Sequence, residues 1–347
     1  MIPELCKHPV SKPTGNSGSP SRYSHYDNNV GEYVYVELYP QNSWRDLSEQ
    51  TLLIPKYNNV RSDRDECEER VKEYLSYSPD HDLDESWLGV STIKDYTSVL
   101  TAGDLSNDIK LNAEIGQAIQ NLAPKDKKRR KKWINNEDGD IMFDAYMNRD
   151  PEIFYAKRLV EGKKFKTNLV IATGGNCGVN PKTLKMRAEV YAKIIDELQR
   201  QGHNVGVYAC DPIYYSGTYA FIMWQIKQHN EQMALPMLQR DLGHPAVYRT
   251  AVFDIISSLP TCPGSGLGRT AKNVYRKPST AREVLSQVIK QEIGEPTVVL
   301  NLFDLNANIS EEKLHKKLPE IADTLNNLVT DPRMSGIHYI NTKENDD

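Results

Sequence analysis

Asn168-Leu-Val-Ile-Ala172 leads through Thr173-Gly-Gly-Asn-Cys-Gly178 and an amphipathic run ending at Gln201 into Gly202-His-Asn-Val-Gly-Val-Tyr-Ala209. A short apolar run with β-branched residues, a glycine-rich turn, a long helical pattern, a glycine stop and a second apolar run spell one βαβ unit. The class is therefore α/β. Such folds host many chemistries, and some members carry none, so function has to be read from particular residues.

Downstream, Asp211-Pro-Ile-Tyr-Tyr-Ser-Gly217 is a turn by composition, and Thr218-Tyr-Ala-Phe-Ile-Met-Trp-Gln-Ile226 reads as an apolar, aromatic strand. The link between Ala209 and Thr218 is too short for a helical crossover, which makes the two strands antiparallel neighbours. Helical patterns follow at 231–242 and 245–259, the second with Pro245 at a permitted first-turn position. Thr280-Ala-Arg-Glu283 reads as a capping box that opens another helix, and Thr297-Val-Val-Leu-Asn-Leu-Phe303 as a buried strand. Ser310 starts a helix in which Leu314, Leu318, Ile321, Leu325 and Leu328 stay in phase across Pro319. Gly336-Ile-His-Tyr-Ile340 is the last strand. These elements define a main domain over 161–341, followed by an acidic tail over 342–347.

Upstream the signals are weaker. Residues 11–29 are rich in Ser, Gly, Pro and Asn, so 1–30 is expected to be a flexible tail. Residues 31–160 form a mixed, mainly helical segment. It begins with the alternating strand Glu32-Tyr-Val-Tyr-Val-Glu-Leu38 and continues with helices at 62–77, 92–101 and 107–122. Lys125, Lys127, Lys128, Arg129, Arg130, Lys131 and Lys132 then place seven cations in the eight residues of a basic loop, 125–132, and Trp133 follows. Such a run can hold a phosphate backbone while the aromatic stacks on a base, or it can be a solvated loop spread by like charges. Glu137-Asp-Gly-Asp140 lacks the spacing of a calcium loop and reads as a turn.

Lys+Arg is 43 against Asp+Glu at 47, a formal net charge of -4, so any nucleic-acid contact has to be local. Five cysteines with no C-x-x-C pair argue against a zinc module and a disulfide framework, and suit reduced thiols in a cytoplasm. With no run of about 18 apolar residues and no signal-peptide pattern at Met1, the expectation is a soluble, intracellular chain without membrane contact.

In an open α/β sheet, ligands bind beyond the carboxyl ends of the strands. Two ends are readable, Thr173–Cys177 and Asp304-Leu-Asn-Ala-Asn308. The first is not G-x-G-x-x-G, because Gly174 and Gly175 are adjacent and the helix opens only near Pro181, so no dinucleotide site is expected. Pro263-Gly-Ser-Gly-Leu-Gly-Arg-Thr270 fails as a phosphate loop at its first glycine and its lysine, and is expected to be a mobile loop over the carboxyl edge of the sheet.

The order strand, glycine-asparagine turn, helix beginning near Lys182-Thr-Leu-Lys-Met-Arg187, Gln201-Gly-His203 stop, hairpin and Leu242-Gly-His-Pro-Ala-Val-Tyr-Arg249 resembles a group of bacteriophage proteins of unknown function built on a von Willebrand factor A-like core. The resemblance covers about residues 85–340. It implies a three-layer sandwich with a mostly parallel sheet. In the wider A-domain fold, D-x-S-x-S after the first strand supplies an aspartate and two hydroxyls to magnesium. Here Thr173 stands at the aspartate position and Gly175 and Cys177 at the serines, with Asp304 at the later acidic position, so the turn is degenerate and neither a metal nor another cofactor is expected. Thr173, Gly174, Gly175, Asn176, Cys177 and Asp304 remain as candidate binding residues.

Cys177 precedes a helix N-terminus, where the dipole can lower a thiol pKa, and His203, His229 or His244 can in principle serve as its base. No spacing pairs them, and a cysteine acting as a small hydrophobe is the competing reading. The expected function is a non-enzymatic, phage-encoded adaptor in the host cytoplasm, working through a protein partner and possible sequence-independent nucleic-acid binding. The alternatives are an enzyme with Cys177 as nucleophile and a virion structural or assembly component.

Overall fold

A computed structural model describes residues 6–8, 21–28, 32–41, 44, 82–103, 131–141, 154–159, 166–175, 178–200, 204–215, 217–252, 269–270, 274–275, 279–317, 319–320 and 335–341. The strands in chain order are β1 (Cys6–His8), β2 (Ser21–Asp27), β3 (Glu32–Tyr39), β4 (Lys131–Ile141), β5 (Phe154–Leu159), β6 (Lys166–Ala172), β7 (Asn204–Tyr215), β8 (Thr218–Lys227), β9 (Arg269–Thr270), β10 (Thr297–Asn301) and β11 (Ile337–Asn341). The helices are α1 (Glu85–Leu88), α2 (Ile93–Ala102), α3 (Pro181–Arg200), α4 (Leu235–Gly243), α5 (Pro245–Val247) and α6 (Thr280–Val288), with π-turns Tyr248–Val252 and Ile289–Ile293 continuing α5 and α6.

The βαβ unit that decided the class is β6–α3–β7, and β6 pairs in parallel with both β7 and β10. β10 pairs in parallel with β11, and β8 returns antiparallel to β7 as its short link requires. Counted from β6, these five strands run 3-2-1-4-5 with the third reversed. Leu169, Ile171, Val207, Ala209, Ile222 and Trp224 face one helix layer, in which α3 and α4 pack together. Val170, Ala172, Phe221, Met223 and Val299 face Val284, Leu285 and Val288 of α6 on the other side. Both faces are dry, which is why these strands read as continuous apolar runs. Each fully buried aliphatic side chain stabilises the fold by about 1.5–3 kcal/mol. The molecule is an α/β protein with helix, sheet and helix layers.

Four expectations need correction. Residues 1–30 are not a free tail throughout, because β2 pairs with β3 from Ser21↔Leu38 to Asp27↔Glu32, and β1 pairs with β2. The polar composition of β2 hid a strand whose Tyr23 is buried and pairs with Val36. The proposed boundary near residue 160 does not separate the sheet either, since β3 adds in parallel to β8 and completes a nine-stranded sheet. That addition makes the sheet mixed rather than mostly parallel, with parallel pairing concentrated in β7-β6-β10-β11. Finally, the basic run is not wholly a loop, since Lys131, Lys132 and Trp133 lie in β4 opposite Leu159, Arg158 and Lys157 of β5.

Smaller differences have local causes. The cap of α6 is Ser279, whose hydroxyl accepts from the Arg282 amide, one residue before the expected Thr280. The pattern over 245–259 becomes three residues of α5 and a π-turn, with 253–259 outside the described residues. The helices expected at 62–77 and 107–122 and the loop residues 263–268 also lie outside the described residues. The helix expected over 92–101 is α2, which starts at Ile93 with Thr92 as its cap, and the Ser310 hydroxyl accepts from the Lys313 amide.

Candidate functional site

The strand order reverses between β6 and β10, and the crevice beyond their carboxyl ends is where an open α/β sheet presents its ligand site. On the β6 side, Thr173 continues the sheet by donating its amide to Cys210 O at 2.9 Å. Its buried hydroxyl has no hydrogen-bond partner among the described residues. Gly174 follows at φ +109, and a Cβ there would meet Asp211 Oδ1 at 2.2 Å, so only glycine fits. The Gly175 amide donates to the Tyr248 hydroxyl at 3.2 Å, and that hydroxyl donates to Asp211 Oδ2 at 2.7 Å.

Asp211 is inward on β7, fully buried, and burial pushes its carboxyl up to about 7 while the Tyr248 hydrogen bond pulls it down. Tyr248 is itself raised well above an ordinary phenol, by burial first and by the Asp211 charge second, so it keeps its proton. The π-turn that opens at Tyr248 supplies both this hydroxyl and Arg249; such turns are frequent at functional sites.

Arg187 closes the crevice. It sits on the second turn of α3 and is 4% exposed. Nη1 donates to Gly174 O at 3.1 Å and to Leu305 O at 3.4 Å, while Nη2 donates to Asp304 O at 2.7 Å and to Ala307 O. One guanidinium thus ties the loop after β6 to the loop after β10. Burial lowers it to about 10, with Tyr191, Asp304 and Tyr248 opposing that fall, so it stays cationic at neutral pH. The N-terminus of α3 is sealed as well. Asn180 Oδ1 accepts from the Thr183 amide at 2.7 Å, and Asn308 Oδ1 accepts from the Asn180 amide at 2.8 Å.

Residues 82–103 pack against the same end. Arg249 donates to Val179 O and to Trp87 O, with its guanidinium 4.1 Å from the Trp87 ring centroid. Lys185 donates to Gly89 O at 2.9 Å, and Arg240 to Leu100 O. Two buried arginines and the half-buried Lys185 therefore meet carbonyls at the ends of α1 and α2, where the helix dipole favours positive charge.

The residues at this crevice do not fit the magnesium ion of the A-domain turn. A hard divalent ion wants several oxygens, carboxylates among them, and here the converging carbonyls of both loops already accept from Arg187. Among the described residues no group of three or more His, Cys, Asp or Glu is placed to hold a metal.

Of the sequence candidates, Gly174 and Asp304 are joined through Arg187, and Thr173 and Gly175 flank Gly174 in the same turn. Asn176, Cys177 and His203 lie outside the described residues, as do Lys125, Lys127, Lys128, Arg129 and Arg130. His244 is buried at the start of α5, where Nδ1 accepts from the Ala246 amide at 3.1 Å. His229 lies against Gly206, near the opposite end of β7, about 16 Å along the strand from Asp211. That position removes it as a base for chemistry at the β6 turn. Cys210 faces the α6 side, accepts from the Tyr275 hydroxyl at 3.2 Å, and is pushed up to about 12 by burial, which leaves an inert thiol.

Sequence reasoning missed Asp211, Tyr248 and Arg187 as site residues. Arg187 falls among Leu184, Ala188 and Tyr191 on the buried side of α3, a cation in an apolar setting that is a usable signal. Nothing in the sequence tells which carbonyls it meets. Among the described residues no helix is long and apolar enough to cross a membrane. A family model described as a domain of unknown function (DUF7192) matches residues 29–326. No curated protein and no solved structure matches the chain.

Proposed function

The chain belongs to the family of the domain of unknown function DUF7192, and from that premise we propose that it is a non-catalytic binding protein with a von Willebrand factor A-like core. The 3-2-1-4-5 order with a reversed third strand supports the A-type reading. The observation that carries the binding reading is Arg187, which spends its guanidinium on the carbonyls of the two loops where a sheet of this type would open to a ligand. A crevice filled by the chain's own side chain suits a scaffold that acts through its surface. Tyr26 and Tyr33, the large apolar side chains left exposed among the described residues, lie side by side with ring centroids 4.4 Å apart and planes tilted by 37°, and tyrosine is favoured at protein interfaces. The bacteriophage resemblance extends the proposal to a phage-encoded adaptor in the host cytoplasm, with the basic run as an auxiliary, sequence-independent contact for nucleic acid.

The competing class is an enzyme that uses Cys177. Labelling the native protein with iodoacetamide at pH 6, with site-resolved mass spectrometry, separates the two. The binding reading expects Cys177 to react no faster than a free model thiol. Selective labelling at least ten times faster would mark an activated nucleophile and overturn the proposal.

A further inference from the structure

We infer that Arg187 is the resident cation of the β6–β10 crevice, standing where the A-type fold would hold a divalent metal, and that the wild-type crevice therefore takes no magnesium. The inference deepens the binding reading above and rests on it for the A-type frame. Four carbonyl oxygens, from Gly174, Asp304, Leu305 and Ala307, converge on one guanidinium from two separate loops. Converging carbonyls from unconnected loops carry partial negative charge that has to be met by a cation or by N–H donors. A guanidinium supplies both, since its planar fork presents several donors at fixed angles around a delocalised charge. The nearby Asp304 favours the same charge on Arg187 and also accepts from the Asn306 amide at 3.0 Å.

The sequence changes at the turn complement this arrangement. The carboxylate that would bring a divalent ion to the first strand is replaced by Thr173, and Gly174 offers a carbonyl to Arg187 while leaving room for Asp211 beneath. The device is a molecular staple whose cation is covalently tethered and cannot be withdrawn by a chelator. Loop closure here should be insensitive to chelators and to divalent cations, unlike that of a metal-holding crevice.

Thermal unfolding of the full chain tests this with magnesium or manganese chloride up to 10 mM, against matched ionic strength and against EDTA. Wild type is expected to show the same midpoint in all three. Arg187→Ala is expected to lose about 5–10 °C and to regain part of that loss with guanidinium at low millimolar concentration but not with sodium or urea. Arg187→Lys, which keeps the charge with fewer donors, should fall between the two. If Arg187→Ala does not fold, the lysine variant and the wild-type titration still decide. A saturable rise of the wild-type midpoint with magnesium, abolished by Thr173→Ala or Asp304→Asn, would overturn the inference, as would an alanine or lysine variant as stable as wild type. None of these outcomes depends on Cys177, so failure of the cation assignment and failure of the non-catalytic reading are distinguishable.

Discussion

Asp211 is the residue at which the interior of the site becomes measurable. Its folded carboxyl titrates near 7 against an ordinary value of 3.8, with burial as the leading cause. The sign follows from proton counting. Between the two values the folded chain holds a proton that the unfolded chain releases, so stability is full below about pH 4 and falls as pH rises toward 7. The cost approaches about 4 kcal/mol at most. Asp211→Asn keeps an acceptor for the Tyr248 hydroxyl and removes the titration. Midpoints of wild type and variant should therefore diverge between pH 4 and pH 7, the variant gaining with each step, and the gap should level off above pH 7. A constant gap from pH 4 to pH 7 would show that Asp211 is ionised throughout. Arg187 and Asp211 were hard to read from sequence for opposite reasons. A mid-helix arginine usually carries its charge to solvent, and an aspartate before proline usually marks a turn, whereas here both are taken inward by carbonyls and a phenol that lie far away in the chain.

Among elements, β6, α3, β7, β8 and β10 were legible because each is long or dry enough for its period to dominate, whereas the direct pairing of β6 with β10 is seen only in the fold. β2 was not, since Ser21-Arg-Tyr-Ser-His-Tyr-Asp27 has no apolar run and gains its order from a ladder with β3. The alternation of β3 also concealed Glu37, which is 1% exposed and is met by Arg22 Nε and by the Tyr39 hydroxyl at 2.8 Å. A buried carboxylate of this kind is tolerated only with its partners in place. Deleting residues 1–28 removes β1, β2 and Arg22 together, so it should lower the midpoint of unfolding by several degrees or leave the chain insoluble. A deletion that unfolds like the full chain would restore the reading of this segment as a tail.

At the scale of the whole molecule, a formal charge of -4 coexists with one dense basic stretch. If that stretch serves nucleic acid, binding should be independent of sequence and steep in salt, because each neutralised phosphate releases counterions. Changing Lys125, Lys127, Lys128, Arg129 and Arg130 to Ser leaves the β4–β5 ladder untouched, since β4 begins at Lys131. The variant should lose DNA binding at 50 mM salt, and equal binding by both proteins would reduce the run to a solvated segment. On the proposed A-type reading, the crevice between β6 and β10 is closed from within by Arg187. The most direct measurement is anomalous diffraction from crystals of the 347-residue chain soaked in manganese chloride. Guanidinium density bridging the Gly174 and Asp304 carbonyls, with no manganese peak between the two loops, is the expected result. A manganese peak coordinated by Thr173 and Asp304, with Arg187 displaced, would contradict it.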